Sequence, residues 1–216
     1  MRIIILGPPG SGKGTQSNLI IKKYQIPKIA TGDILRESTM NNNDSIGRKI
    51  KKIIRKGKLV NDDIVFSLIK KRILQEDCKK GFLLDGYPRN INQAIILKQE
   101  RIDIDYVIEL FVNQNTILNR VNGRLIHIPS GRIYHNTLNP PINKNIDDIT
   151  GDSLSIRDDD TIKILKIRLQ EYHSTIQSII TFYMNETKHQ KLKYFKINGD
   201  RKINNVYNEI IHLLNN

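Results

Sequence analysis

The stretch Arg2–Thr15, RIIILGPPGSGKGT, decides how the rest of the chain is read. Arg2 to Leu6 carries the apolar run of a buried β-strand and enters GPPGSGKGT, Gly7 to Thr15, where glycines give way to a helical pattern. Strand, glycine-rich loop, lysine and helix in that order make a phosphate-binding loop. Backbone N–H groups turn inward toward an anion, the following helix adds the positive end of its dipole, and Lys13 supplies a point charge. Gly7, Gly10, Gly12 and Gly14 permit the close approach such a loop needs. Gly14 stands where the general motif places Ser or Thr after the lysine, and the hydroxyl of Thr15 comes one residue later.

Outward from the loop, Gln16–Tyr24 reads as a helix and Ile26–Ala30 as a short strand introduced by Pro27. In TGDILRE, Thr31 and Asp33 suit the start of a short helix that carries Arg36, and Asn41 to Asp44 read as a turn. A basic amphipathic helix follows and stops at Gly57. The next helix begins at Asn61, with Asp62 and Asp63 in its first turn and Ile64, Val65, Leu68, Ile69 and Ile73 on one stripe. Phe82 to Leu84 form a continuous apolar strand of the kind buried on both faces, which leaves Asp85 at its C-terminal edge. A helix over Asn92–Gln99, a strand over Tyr106–Val112 and a helix over Asn113–Asn122 continue the alternation. The expected class is α/β, a doubly wound parallel sheet with ligands at the C-terminal strand ends.

At Gly123 the pattern changes. Short alternating segments, turn residues and Pro140-Pro141 run to Thr150, as in a small β-rich insertion. A long helix resumes from Asp159 with Ile162, Leu165, Leu169, Tyr172, Ile176, Ile179 and Tyr183 on one face. A strand over Tyr194–Ile197 and a helix over Asn204–Leu214 close the chain.

With 216 residues, 38% of them hydrophobic, the chain has enough material for one sizeable core. No apolar run is long enough to span a membrane, the N-terminal one is too short for a signal peptide, and a cytoplasmic location is expected. The single cysteine, Cys78, excludes an internal disulfide and reads as a structural thiol. Net charge is +13, with seven basic residues between Arg48 and Lys58. Ile46, Ile50, Ile53 and Ile54 interleave there at helical spacing, so the run reads as the solvated face of a helix. With no Trp and 6% aromatic residues, stacking platforms for single-stranded nucleic acid are scarce.

Two constellations carry chemistry. His127-x-x-Ser130 and Asp147-x-x-Thr150 have the spacing of a metal knuckle, but two of the four side chains are neutral hydroxyls, so a hydrogen-bonded cluster is expected and structural zinc is not. Arg36, Arg89, Arg120, Arg124, Arg157 and Arg168 stand at element edges or beside Gly or Asp, away from the lysine-rich faces. Arginine offers a planar bidentate donor that stays charged where transferring phosphoryl groups crowd negative charge. A phosphate acceptor is already anionic at neutral pH, so such a transfer needs no general base, and no Glu follows Asp85 to position an attacking water.

GPPGSGKGTQ, TGDILR, GKLV, FLLDGYPR, GR with HIPSGRIYH, DDITGD and RDD occur in this order, and the chain resembles the bacterial long-form adenylate kinases over essentially its whole length. The resemblance implies a P-loop NTPase-type parallel five-stranded sheet with helices on both faces. It adds a helical NMP-binding insert over 31–60 and a β-rich lid over 123–160, around a core of 1–30, 61–122 and 161–216. It implies reversible transfer from ATP to AMP giving two ADP, with Mg²⁺ on ATP and no structural zinc. Gly10, Ser11, Gly12, Lys13, Gly14 and Thr15 would hold the donor phosphates, with Arg120 and with Arg124, Ile133 and Tyr134 of the lid, while Arg201 lies by the ATP adenine. Thr31, Arg36, Lys58, Leu59, Val60, Gly86, Arg89, Gln93, Arg157 and Arg168 would form the AMP site, with Gln93 and backbone near Val60 reading adenine. Arg120, Arg157 and Arg168 would line the transferring group and Asp85 would orient metal-bound water. The lid set His127, Ser130, Asp147 and Thr150 matches the family's non-zinc form. Ala30 stands where Ser is common before TGD, and Leu125 follows Arg124 where some members have a second Arg. A monomer is the family expectation. The rival readings are a kinase for another nucleoside monophosphate and, from a different class, a P-loop NTPase binding nucleic acid.

Overall fold

Alternate residues of a strand face opposite sides, and a strand covered on both sides must therefore be apolar throughout. The computed structural model describes residues 1–38, 50, 52–53, 56, 58, 60–157, 160–188 and 191–216. In β1 (Arg2–Leu6), Ile3 and Ile5 face a core completed by Leu83, Ile108 and Ile210, while Ile4 and Leu6 face another completed by Ile29, Leu84, Leu97 and Ile179. Ile3, Ile4 and Ile5 have no exposed surface. Each contributes about 2 kcal/mol by burial.

Among the described residues β1 lies in a parallel sheet of five strands with β2 (Lys28–Ala30), β3 (Phe82–Asp85), β4 (Tyr106–Phe111) and β7 (Lys193–Asn198), in the order β2-β3-β1-β4-β7. α1 (Lys13–Tyr24) and α7 (Ile203–Asn215) cover one face. α3 (Asp62–Ile73), α4 (Ile91–Gln99) and the long α6 (Ile162–Glu186) cover the other. α2 (Thr31–Ser38) follows β2, and α5 (Gln114–Val121) follows β4. Register pairs Ile5 with Asp85 and Ala30 with Asp85, so the loop after β1, the start of α2 and Asp85 share one sheet edge.

The expected β-rich insertion contains an antiparallel hairpin, β5 (Arg124–His127) with β6 (Arg132–His135), and a small apolar cluster of Leu125, Tyr134 and Leu154. Bridges from Ile126 to Ser155 and from Ile146 to Ser153 tie the rest of the insertion to the hairpin.

Element ends differ from the sequence reading for local reasons. α1 starts at Lys13, three residues ahead of Gln16, because the helix begins inside the glycine-rich motif. α6 starts at Ile162, after Asp159, where the Thr161 hydroxyl accepts from the Ile164 N–H at 3.3 Å. The turn at Asn41–Asp44, the helix stop at Gly57, Leu59 and Asp159 lie outside the described residues, as does the side chain of Arg36, whose backbone is in α2. Among the described residues no helix is long and apolar enough to cross a membrane.

Candidate active site

The site starts where β1 ends. Gly12 caps α1 with φ 92°, a left-handed conformation that costs a side-chain-bearing residue about 1 kcal/mol or more. The helix then points the N–H groups of its first turn back over the loop, where they have no intrahelical acceptor. Lys13 folds across the loop and donates from Nζ to the carbonyls of Gly7 at 2.7 Å and Pro8 at 2.9 Å. Burial lowers its pKa from the usual 10.5 to about 8; Arg89, Arg168 and Arg124 push the same way, and Asp85 opposes them. Ser11 Oγ and Gln16 Oε1 are buried without a hydrogen-bond partner among the described residues.

Arginines converge on the loop from three elements and two loops. Arg120 of α5 donates to the carbonyls of Ser11 at 3.2 Å and Gly199 at 2.8 Å, which joins the loop to the β7–α7 corner; burial lowers its pKa. Arg124, at the start of β5, pairs with Asp160, whose side chain is 1% exposed, through Nε at 2.7 Å and through a second guanidinium nitrogen. Arg89 donates from Nε to the Gly86 carbonyl at 2.8 Å. Arg157 and Arg168 line the same cavity as the other three, together with the residues from Gly10 to Thr15, Asp85, Ile133, Tyr134 and Arg201. The cavity measures about 1130 Å³, room for more than one drug-sized ligand. A Cβ added at Gly14 would sit 3.4 Å from Ile133 Cδ1, so the lid hairpin rests directly over the phosphate loop.

Five of the residues expected to hold the second nucleotide gather beside this cavity. Thr31, Val60, Gly86, Arg89 and Gln93 line a recess with Leu35, Val65 and Tyr87. Its volume of about 10 Å³ is room for one water, not a base. Thr31 Oγ1 donates to the Gly86 carbonyl at 2.9 Å. Gln93 is 2% exposed; its Nε2 donates to Asp62 at 2.6 Å and its Oε1 accepts from the Arg89 N–H at 2.7 Å. Lys58 is exposed and lines neither space.

The expected lid cluster is hydrogen-bonded within itself. His127 Nδ1 lies 2.7 Å from Ser130 Oγ and its Nε2 3.3 Å from Thr150 Oγ1, and Asp147 accepts from the Thr150 hydroxyl at 3.0 Å and N–H at 2.9 Å. Three further members lie outside the sequence reading of this cluster. Arg132 grips Asp147 with Nε at 2.8 Å and Nη2 at 2.6 Å, the Tyr134 hydroxyl donates to it at 3.0 Å, and Asp152 meets His127 Nε2 at 3.0 Å. The Arg132 bond, ahead of those from Thr150 and Tyr134, drives the Asp147 pKa far below the usual carboxylate range. Tyr134, expected at ATP, thus has its hydroxyl committed to Asp147 while it also lines the cavity. Asp62 and Asp160 are likewise absent from the residues expected at the site. Only Asp160's place beside the Arg157 motif could have signalled it.

A phosphate-binding loop at the C-terminal edge of a parallel sheet, under arginines from both the core and a β-hairpin, defines a nucleotide-binding protein of the P-loop α/β class. Comparison with known proteins narrows this. The adenylate kinase family model matches residues 5–188. Over 214 residues, 99% of the chain, it is 47% identical to an adenylate kinase of Photorhabdus laumondii, of which the match covers 100%. Over the same share it is 50% identical to an adenylate kinase of Buchnera aphidicola from Schizaphis graminum, again covering 100% of that protein, and 45% identical to one of Blochmanniella pennsylvanica, covering 99%. The chain belongs to the adenylate kinase family.

Proposed function

We propose that the chain transfers the terminal phosphoryl group of ATP to AMP, reversibly, giving two ADP. The observation that carries this is the basic cavity of about 1130 Å³ over the phosphate loop, which has room for more than one drug-sized ligand and has Gln93 in a recess at its side. In this reading the bond from the β,γ-bridging oxygen to the γ-phosphorus breaks as an oxygen of the AMP phosphate, already ionised, bonds to that phosphorus. No proton has to move. What the transfer needs is positive charge in place, and Lys13, Arg89, Arg120, Arg124, Arg157 and Arg168 supply it as donors that hold their charge opposite the phosphates.

Gly10–Thr15, with Arg120, Arg124, Ile133 and Arg201, hold ATP in this reading; Thr31, Arg36, Lys58, Leu59, Val60, Gly86, Arg89 and Gln93 hold AMP. The hard oxygen donors near the loop, Asp85 and the Thr15 hydroxyl, fit Mg²⁺ bound to ATP. Mg²⁺ would supply neutralisation of the phosphate charge, with Asp85 and the Thr15 hydroxyl as the oxygen groups of this chain nearest to it. Residues 31–60 and 123–160 act as moving covers on the core of 1–30, 61–122 and 161–216, excluding water that would compete with AMP as acceptor. His127, Ser130, Asp147 and Thr150 do by hydrogen bonding what a structural metal would do in the lid.

A coupled assay for ADP tests the reading. ADP should form from ATP only when AMP is present, and equal formation with and without AMP overturns it. Across a panel of nucleoside monophosphates, AMP should be the preferred acceptor.

A further inference from the structure

The carboxylate of Asp62 lines neither the large cavity nor the recess, yet it accepts from Gln93 Nε2 at 2.6 Å. We propose that Asp62 is a positioning residue that sets acceptor-base specificity by locking the Gln93 side-chain amide in one of its two orientations. The proposal rests on the AMP reading given above and names what makes that site selective.

The lock begins at two backbone N–H groups near the start of α4. The Gln93 N–H donates to Asn90 Oδ1 at 2.9 Å, so the other end of the Asn90 amide must be its nitrogen. That nitrogen donates to both oxygens of Asp62, at 3.0 and 3.1 Å. Asp62 is in the first turn of α3, whose cap, Asn61, accepts from the Asp63 N–H at 2.9 Å, and its position is thereby set from its own helix as well. An ionised carboxylate only accepts and a backbone N–H only donates. Between Asp62 on one side and the Arg89 N–H on the other, the Gln93 amide therefore satisfies both partners in one orientation only, Nε2 to Asp62 and Oε1 to Arg89. Turned over, it would set N–H against N–H at Arg89 and oxygen against oxygen at Asp62.

One hydrogen and one lone pair of that amide are left for a ligand. Leu35, Val60, Val65 and Tyr87 line the recess beside it, and at about 10 Å³ the recess takes a base only once these walls part. Adenine offers an amino donor beside a ring acceptor. Hypoxanthine has the same outline with the pattern inverted, a carbonyl acceptor beside a ring N–H. A free amide could turn to suit either base, whereas a locked one suits one and leaves buried polar groups unpaired against the other.

Asn90 and Gln93 both donate to the same oxygen of Asp62, Oδ1, so an amide in its place could still accept from both. Asp62→Leu has a similar outline and no acceptor, and it leaves the Arg89 N–H alone to orient the Gln93 amide. In steady-state assays with AMP and inosine monophosphate as acceptors, the ratio of their kcat/KM values should fall at least about tenfold in Asp62→Leu, while KM for ATP stays within about twofold. Asn90→Ser keeps a good helix cap and leaves Asp62 facing Gln93, and it should keep the wild-type ratio. Thermal unfolding of both variants reports that each is folded. An unchanged ratio in Asp62→Leu, or an equal fall in Asn90→Ser, overturns the proposal alone. A wild-type enzyme that uses inosine monophosphate as readily as AMP overturns the adenine reading of the recess and the proposal with it.

Discussion

Lys13 is an ammonium group held where an ammonium is poorly solvated. Its two carbonyl partners accept from it, but burial and three arginines lower its pKa to about 8 against the pull of Asp85. The sign follows. Below pH 8 the folded chain carries this proton at a cost that the unfolded chain does not bear, and the cost disappears as pH rises from about 8 to the unfolded value of 10.5. A polyphosphate reverses the balance, because its charge restores the proton affinity of Lys13. Binding of ATP near pH 8.5 should therefore take up about half a proton or more, read by calorimetry in buffers of different ionisation enthalpy. Lys13→Met should abolish the uptake and lower turnover about a hundredfold or more, with the folded state intact by circular dichroism. Zero uptake by the wild type would contradict this account of Lys13. Arg89 offers a parallel case: Arg89→Ala removes a charge-bearing donor at the junction of cavity and recess, and turnover should fall by at least about a hundredfold without loss of thermal stability.

The β5–β6 hairpin shares only the small apolar cluster of Leu125, Tyr134 and Leu154, and hydrogen bonds to Asp147 supplement it. That carboxylate accepts from Arg132, Tyr134, Thr150 and, at 3.2 Å, the Ile149 N–H. Asp147→Asn keeps the volume but strips the charge that Arg132 faces, leaving donors set against a donor. Amide exchange in β5 and β6 should quicken about tenfold or more while β1, β3 and β4 keep wild-type protection, as followed by mass spectrometry; unchanged exchange in the hairpin would remove Asp147 as its anchor. At this scale the sequence is legible where the signal is local. The x-x spacings expose His127 with Ser130 and Asp147 with Thr150, because each pair closes within one turn. Arg132 becomes visible only through strand pairing, which sets it opposite His127. Asp160 meets Arg124, and Gln93 meets Asp62, across 36 and 31 residues of chain. No periodicity carries such information. Glycine content hides the first turn of α1 for the opposite reason, since loop-forming residues there are also the helix start.

Over the whole molecule, the alternation of apolar strands and amphipathic helices is enough to read a parallel sheet, and Asp85 falls at its C-terminal edge as that pattern implies. The order β2-β3-β1-β4-β7 is not legible in the same way, because the direction in which each crossover steps leaves no mark in local pattern. The net charge of +13 can now be divided. Much of it is surface lysine, but the cavity itself is lined by more basic than acidic residues, Arg89, Arg120, Arg124, Arg157 and Arg168 among them. A field of that kind raises encounter rates and is screened by salt over about 10 Å at 0.1 M. In the proposed transfer the same arginines contact phosphate inside the cavity, where salt screens less than at the surface. Raising ionic strength from about 20 to 200 mM should then lower kcat/KM for both nucleotides by about three- to tenfold and leave kcat within about twofold. Stopped-flow nucleotide binding would place the change in the association rate. A kcat that fell in step with kcat/KM would instead put the salt-sensitive charges outside the entry path, in the closing of the covers or the transfer itself.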